Sequence, residues 1–409
     1  MRRLALLLAA GVIAAAGVAH AQILPGVPPL GAPVGGVLPR AVEPLADGVR
    51  AVPTRIARTL ERARLDRLTA LVRDHPREIA LDPDGFPARA GEVVIEDPDD
   101  RIIAAATARG FTIVERADAL GVGFARLGVP SGMSLRTAIR DLRKLGASGV
   151  TADQLHFQSG AITAAVAPPV AGDRGPAIVI IDGGVAGGAA EQRGYAAGAP
   201  RPSNHGTAVA SLILGRGAVR GVAPDARLYA ADVYGSDPAG GNATAIAKAL
   251  AWMAVARVPV VTISLVGPSN PLLARVVAAA QARGTIVVAA VGNDGPAAPP
   301  AFPASYPGVI AVTGVDARGR VLIEAGRAAH LDYAAPGADM LAANAGGGTT
   351  AVRGTSFAAP LVAATILNAY PAPDPQARRA ALAKVDAGAR KGPRYGRGLV
   401  CERCRTPEK

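Results

Sequence analysis

Pro176-Ala177-Ile178-Val179-Ile180-Ile181-Asp182-Gly183-Gly184 decides the fold. The run from Ala177 to Ile181 is apolar without alternation, as a strand buried on both faces requires. Similar apolar runs recur at 227–233, 258–265, 285–291 and 309–313. Helical patterns fall at 205–214, 243–257 and 271–283. Alternating strands and helices predict an α/β fold with a doubly wound, mostly parallel sheet. In such sheets functional residues gather beyond the carboxyl ends of strands.

Asp182 stands at such an end. His205 opens a helical stretch in Asn204-His205-Gly206-Thr207-Ala208-Val209-Ala210. Ser356 lies in Gly354-Thr355-Ser356-Phe357-Ala358-Ala359-Pro360, between a glycine-led turn and an apolar helix. Backbone N–H groups at that helix start favour negative charge. Thr and Ser are also ordinary caps. Pro360 is expected in the first helical turn, where no intrahelical donor is lost. A serine hydroxyl becomes a nucleophile when a base takes its proton, and histidine titrates in the right range. A carboxylate can hold the imidazole tautomer and stabilise its charged form. His330, Asp232 and Asp294 read as structural.

The ordered segments resemble the subtilisin family of serine proteases. They are Ile180 to Val185, His205 to Ala210, Gly221-Val222-Ala223-Pro224-Asp225-Ala226, Ala290-Val291-Gly292-Asn293-Asp294-Gly295 and Gly354 to Pro360. Tyr306 to Val312, Ala334-Ala335-Pro336-Gly337 and the closing Tyr395 to Val400 also fit. The order Asp, His, Ser is that of subtilisin. The resemblance spans about 175–400. It implies Ser356 as nucleophile, His205 as base and then acid, and Asp182 as the orienting carboxylate. It implies Asn293 and the Ser356 N–H as oxyanion donors. Ser264-Leu265-Val266-Gly267 would be the edge that pairs with an extended peptide. Ala290, Val291 and Gly292 would line the pocket for the residue before the scissile bond.

Three departures stand out. Gly183 replaces a Thr or Ser usual after the catalytic Asp, so a hydroxyl that could support the carboxylate is lost. Ala208 replaces a common second His at a position that is not catalytic. Val266 replaces a usual Gly at the peptide-binding edge, and its branched side chain predicts small or medium apolar residues before the scissile bond.

The N-terminal 165 residues divide further. Residues 1–21 read as an export signal: Arg2 and Arg3, an apolar run from Leu4 to Val18, and Ala19-His20-Ala21 before Gln22. That run is short for a membrane span. Residues 22–89 comprise a Pro/Gly-rich linker and an amphipathic helix over 54–72, ended by His75-Pro76. Residues 90–165 read as a small ferredoxin-like βαββαβ unit, with its last strand over 153–158. Its layout resembles the family's inhibitory propeptide, which would place processing near 158–175 and make the chain's own N-terminal segment an intramolecular inhibitor. A permanent accessory domain is the other reading.

The catalytic unit is assigned to 170–400 and a tail to 401–409. Cys401 and Cys404, the only cysteines, form a C-x-x-C expected as a local disulfide in an oxidising compartment. No metal site is assigned, no cofactor is required, and structural calcium, common among the relatives, finds no dense carboxylate loop. The net charge of +12 comes from scattered arginines, and aromatics are 3%, so no nucleic-acid stripe forms. The expectation is an exported (periplasmic or extracellular) endopeptidase that cuts polypeptides through an acyl-enzyme, with no stable membrane span. The alternative is a catalytically inactive, peptide-binding or accessory relative.

Overall fold

The computed structural model describes residues 51–162, 175–215 and 217–407, with side chains from residue 54 onward. The export signal and the Pro/Gly-rich linker before residue 51 lie outside the described residues. The strand Ala177–Asp182 sits inside an eight-stranded sheet. On one side of it come Arg227–Asp232 and the edge strand Glu191–Gly194. On the other come Val260–Ile263, Ile286–Ala290, Ile310–Val315, Tyr333–Pro336 and Gly398–Leu399. All seven pairings are parallel. Chain direction away from Ala177–Asp182 reverses at this strand, which opens a crevice at its carboxyl end.

Two cores cover the sheet. One face is packed by the helices Asn204–Leu214 and Thr355–Ala369, the other by Ala243–Val255 and Pro271–Ala282. Every residue of Ala177–Asp182 is buried, which explains the unbroken apolar run. With few aromatics, these cores are filled mainly by Ala, Val, Leu and Ile.

Before this domain lies the helix Ala51–Asp74 and an antiparallel sheet with its own core. The strand Pro87–Glu96 pairs with Ile79–Leu81, Val122–Gly128 and Ser148–Gln154, and Thr112–Ala119 pairs with Val122–Gly128. The helices Asp100–Thr107 and Leu135–Lys144 are capped by Asp99 and Ser134. One boundary differs from the sequence reading. The last strand of the unit is Ser148–Gln154, and Phe157–Gln158 leaves it to pair with Leu265–Val266 of the second domain. An apolar pattern cannot say which sheet a short strand joins.

The first unit rests on the helices Ala243–Val255 and Pro271–Ala282, where Val94, Val122 and Phe124 enter the larger domain's core. Ion pairs ring this contact: Arg89 with Asp237, Lys248 with Glu115 at 2.7 Å, and Arg275 with Glu96 and Asp97 at 2.7 and 2.6 Å. At its centre the fully buried Asp153 accepts from Thr244 N (3.0 Å) and Thr244 Oγ1 (2.7 Å), at the start of Ala243–Val255. Burial raises this carboxyl above its usual range, opposed by the Thr244 bonds. Replacing it strands the Thr244 N–H and leaves the Thr244 hydroxyl only Asn242 Oδ1, at 3.0 Å. Asp153→Ala is therefore expected to lower the stability of the full chain in urea by roughly 1–3 kcal/mol, read from the unfolding midpoint.

Candidate active site

Asp182 and His205 meet because a strand end faces a helix start. Ser203 caps Asn204–Leu214 by accepting from Gly206 N at 2.9 Å, which fixes His205 in the first turn. The His205 Nδ1 lies 2.9 Å from Asp182 Oδ1 and 2.8 Å from Oδ2. Both side chains are buried. A carboxylate facing Nδ1 selects the tautomer with its proton there, leaving Nε2 as the base. That Nε2 closes no hydrogen bond with the described residues. Asp182 Oδ1 also accepts from Gly183 N at 2.7 Å and from Gln158 Nε2 at 3.0 Å.

Ser356 is held at the start of the helix Thr355–Ala369 by a turn only glycine can make. Gly354 has φ +143°, and a Cβ on it would lie 2.7 Å from Asn293 Nδ2. The Ser356 side chain is buried beside Phe357, whose ring centroid is 5.4 Å from that of His205. Its Oγ donates to Ser264 O at 3.0 Å and contacts Ser159 Oγ at 2.6 Å. The structure thus pairs Asp182 with His205 and places Ser356 nearby, but the Ser356 Oγ is bonded to Ser264 and Ser159.

Pro360 differs from the sequence reading, for it lies inside the helix, in the second turn. It removes the N–H that would reach the Ser356 carbonyl. The Ser264 hydroxyl donates to that carbonyl instead, at 2.9 Å. Ser264 is thereby tied twice to Ser356, once through each residue's hydroxyl.

Asn293 accepts from Thr355 N at 3.0 Å, which turns its amide nitrogen towards the serine. This Nδ2 is buried with no partner among the described residues. The Ser356 N–H meets Ser159 O at 3.3 Å. The point where a Gly354 Cβ would stand is 3.1 Å from that same Ser159 O, so the orphaned amide and the carbonyl flank one spot.

What fills the cleft is the chain itself. Phe157–Gln158 runs antiparallel to Leu265–Val266, with Gln158 opposite Leu265 and Phe157 opposite Val266. Ser159 N then donates to Ser264 O at 3.3 Å, and Ala161–Ile162 pairs with the strand Thr349–Arg353. Upstream, His156 is fully buried, its imidazole packed on Gly267 and its backbone held by Gly241 O and by the Tyr234 hydroxyl at 2.6 Å. A cavity of about 340 Å³ lies alongside, lined by Val266, Gly267, Val291, Gly292 and the Arg64 and Leu68 side chains of Ala51–Asp74. Ala290 stays within its strand, buried in the core, and does not line this cavity. Arg67 of the same helix pairs with Asp294, whose carboxyl is raised by burial against the pull of Arg67. Asp232, opposite Asp182 in the sheet, accepts three backbone N–H groups, and His330 bonds Val309 O. Cys401 and Cys404 are joined in the tail. Among the described residues no group of three His, Cys, Asp or Glu is placed to hold a metal ion.

Sequence reasoning missed Gln158, Ser159, Gly160 and Phe357 as cleft residues. Their only signal was position, at the end of the first unit and beside the serine.

A buried carboxylate–imidazole pair next to a helix-start serine, at the carboxyl edge of a parallel sheet, defines a hydrolase of the serine type. The model of the subtilase family matches residues 188–394, just over half of the chain, and the chain belongs to that family of serine proteases. It is 34% identical over 208 residues to Subtilisin DY of Bacillus licheniformis, covering 48% of this chain and 76% of the relative. Against Subtilisin BL of Lederbergia lenta the identity is 37% over 165 residues, covering 39% and 61%. Of an Alkaline protease of Alkalihalobacillus alcalophilus the chain spans 43%. Among solved structures, fervidolysin from Fervidobacterium pennivorans superposes with a TM-score of 0.64 at 19% identity, covering 78% of this chain and 61% of that one. The epidermin leader peptide processing protease of Staphylococcus aureus gives 0.59 at 17%, covering 75% and 96%. These two likenesses show the shared fold.

Burial pushes the His156 imidazole down to about 4, partly offset by backbone groups of Gln154, Pro268 and Gly241. A free histidine titrates near 6.5. The seated state therefore refuses a proton that the released state takes, so seating is full above about pH 6.5 and weakens as pH falls towards about 4. The neighbouring Asp153, raised by burial, gives the opposite slope. His156→Leu isolates the histidine. The stability gap between the variant and the parent chain, both uncleaved, is expected to widen by roughly 3 kcal/mol in the variant's favour from pH 6.5 to 4, measured by denaturant unfolding.

Proposed function

We propose that the protein is the precursor of an exported endopeptidase, drawn with its own N-terminal segment seated as a substrate. Ser356 attacks the carbonyl carbon of Ser159. His205 takes the hydroxyl proton at Nε2 and passes it to the leaving nitrogen of Gly160. Asp182 holds the imidazole and stabilises its charged form. The Ser356 N–H and the Asn293 amide receive the negative oxygen. Acylation of Ser356 by Ser159 expels the Gly160 amine, which becomes the new N-terminus of the enzyme, and water then hydrolyses the acyl-enzyme and releases the N-terminal segment ending at Ser159. Peptide substrates follow the same path along Leu265–Val266.

The observation that carries this reading is the placement of Ser159. Its carbonyl oxygen faces the Ser356 N–H, and its N–H is held by Ser264 O. Antiparallel pairing continues on one side and resumes on the other. That is the register of an extended peptide bound across a reacting serine. The orphaned Asn293 amide and the unpartnered His205 Nε2 are the two polar atoms left for the reaction itself.

Export rests on the N-terminal signal-like sequence. Among the described residues no helix is long and apolar enough to cross a membrane.

The resting geometry also slows the first cut. Because Ser356 Oγ donates to Ser264 O, the Ser159 hydroxyl donates to Ser356 Oγ and occupies one of its two lone pairs. Two outcomes are expected. Purified wild-type protein has Gly160 as its N-terminus and is labelled by a fluorophosphonate, whereas Ser356→Ala stays full length and unlabelled. A labelled, active enzyme that starts near Gln22 would overturn the precursor reading. Second, Ser159→Ala processes several-fold faster than wild type in a pulse-chase, since one hydrogen bond to the nucleophile is gone.

A further inference from the structure

We infer that the enzyme cuts peptides carrying glutamine, a small residue and then glycine across the scissile bond, and that the glutamine completes the hydrogen bonding of Asp182. The inference rests on the reading of Ser159–Gly160 as the seated bond.

Each of the three positions meets a feature of this chain. Behind Gly160 stands Phe357. A Cβ on Gly160 would lie 2.5 Å from Phe357 Cε2 and 3.0 Å from Cζ. Gly160 is not among the residues with positive φ, so space and not backbone conformation selects glycine. The ring cannot swing aside cheaply, for it is fully buried and packed on the His205 imidazole. Any larger residue after the scissile bond pushes through Phe357 on the general base.

Before the bond, Val266 narrows the pocket. A Cβ added at Gly292 would lie 3.1 Å from Val266 Cγ1 and 3.4 Å from Cγ2, so Val266 fills the space beside that glycine. The residue seated there is Ser159, and the wider cavity beside it is not entered by its side chain. A small side chain fits in front of Val266 and a ring does not.

One residue further back, Gln158 reaches the carboxylate. Its Nε2 donates to Asp182 Oδ1 at 3.0 Å. Gly183 offers only its backbone N–H there, and a Cβ on it would lie 2.4 Å from Ser203 Oγ. The protein therefore has no room to supply the missing donor from position 183. The seated glutamine supplies it, on a carboxylate that is fully buried. This donor helps to fix the carboxylate that holds His205 Nδ1. Gln158 acts as a positioning residue carried by the substrate.

The test uses the processed enzyme and quenched fluorescent peptides built on His-Phe-Gln-Ser-Gly-Ala-Ile. Replacing the glutamine by methionine keeps its length and removes the donor. That change is expected to lower kcat by about 10- to 100-fold with KM little changed. Replacing glycine by leucine, or the serine by phenylalanine, is expected to lower kcat/KM at least 100-fold. Phe357→Ala then narrows the leucine-to-glycine gap, and Val266→Gly narrows the phenylalanine-to-serine gap. Equal kcat for the methionine peptide, or a loss carried by KM alone, would overturn the role of glutamine. Gaps that neither variant narrows would overturn the steric assignments. Ser356-dependent hydrolysis of casein with no cleavage of the parent peptide would refute this specificity while leaving the protease reading standing. No Ser356-dependent hydrolysis of either would refute that reading itself.

Discussion

The structure turns on a strand that changes owner. Phe157–Gln158 ends the first unit in sequence, yet its hydrogen bonds are made to Leu265–Val266 of the second. From this pairing follow the seat of Ser159 under the Ser356 N–H, the burial of His156, and the reach of Gln158 to Asp182. A backbone ladder is directional, so once the register is set every side chain along it has an assigned neighbour. The docking of the first unit serves that register. Asp153 bonds the start of Ala243–Val255 three residues before His156, and the ion pairs at Arg89, Lys248 and Arg275 surround it.

The same constraint explains why the site is drawn at rest. A chain crossing the cleft excludes water and supplies its own polar atoms. Ser356 accepts these partners, so its hydroxyl faces Ser264 and Ser159 while His205 Nε2 waits unpaired. Turning the hydroxyl towards the imidazole exchanges one hydrogen bond for another, a small step in energy. The helix Ala51–Asp74 adds a second cover, with Arg67 on Asp294 and Leu60 close against Gly295, next to Asn293. The cleft is thereby covered from both sides of Leu265–Val266.

Much of this was legible in the residues. The unbroken run at 177–181 gave a doubly buried strand, and the motifs around Asp182, His205, Asn293 and Ser356 gave a family resemblance whose fold and class hold. Val266 lines the cavity beside Ser159 and fills the space that a Cβ at Gly292 would need. Three things were not legible, each for a physical reason. The partner of Phe157–Gln158 is a tertiary choice that a two-residue strand does not encode. Pro360 looked harmless because its cost depends on helix phase, and the compensating donor, Ser264, is 92 residues away from Ser356. The lost hydroxyl at Gly183 looked like a defect, because the group that answers it belongs to the seated peptide.

A crystal structure of the uncleaved Ser356→Ala chain tests the central claim most directly. The account predicts continuous density through the cleft, with the Ser159 carbonyl oxygen within hydrogen-bond distance of the residue 356 N–H and Phe157–Gln158 paired with Leu265–Val266. An empty cleft, or another residue's carbonyl at that point, would contradict it.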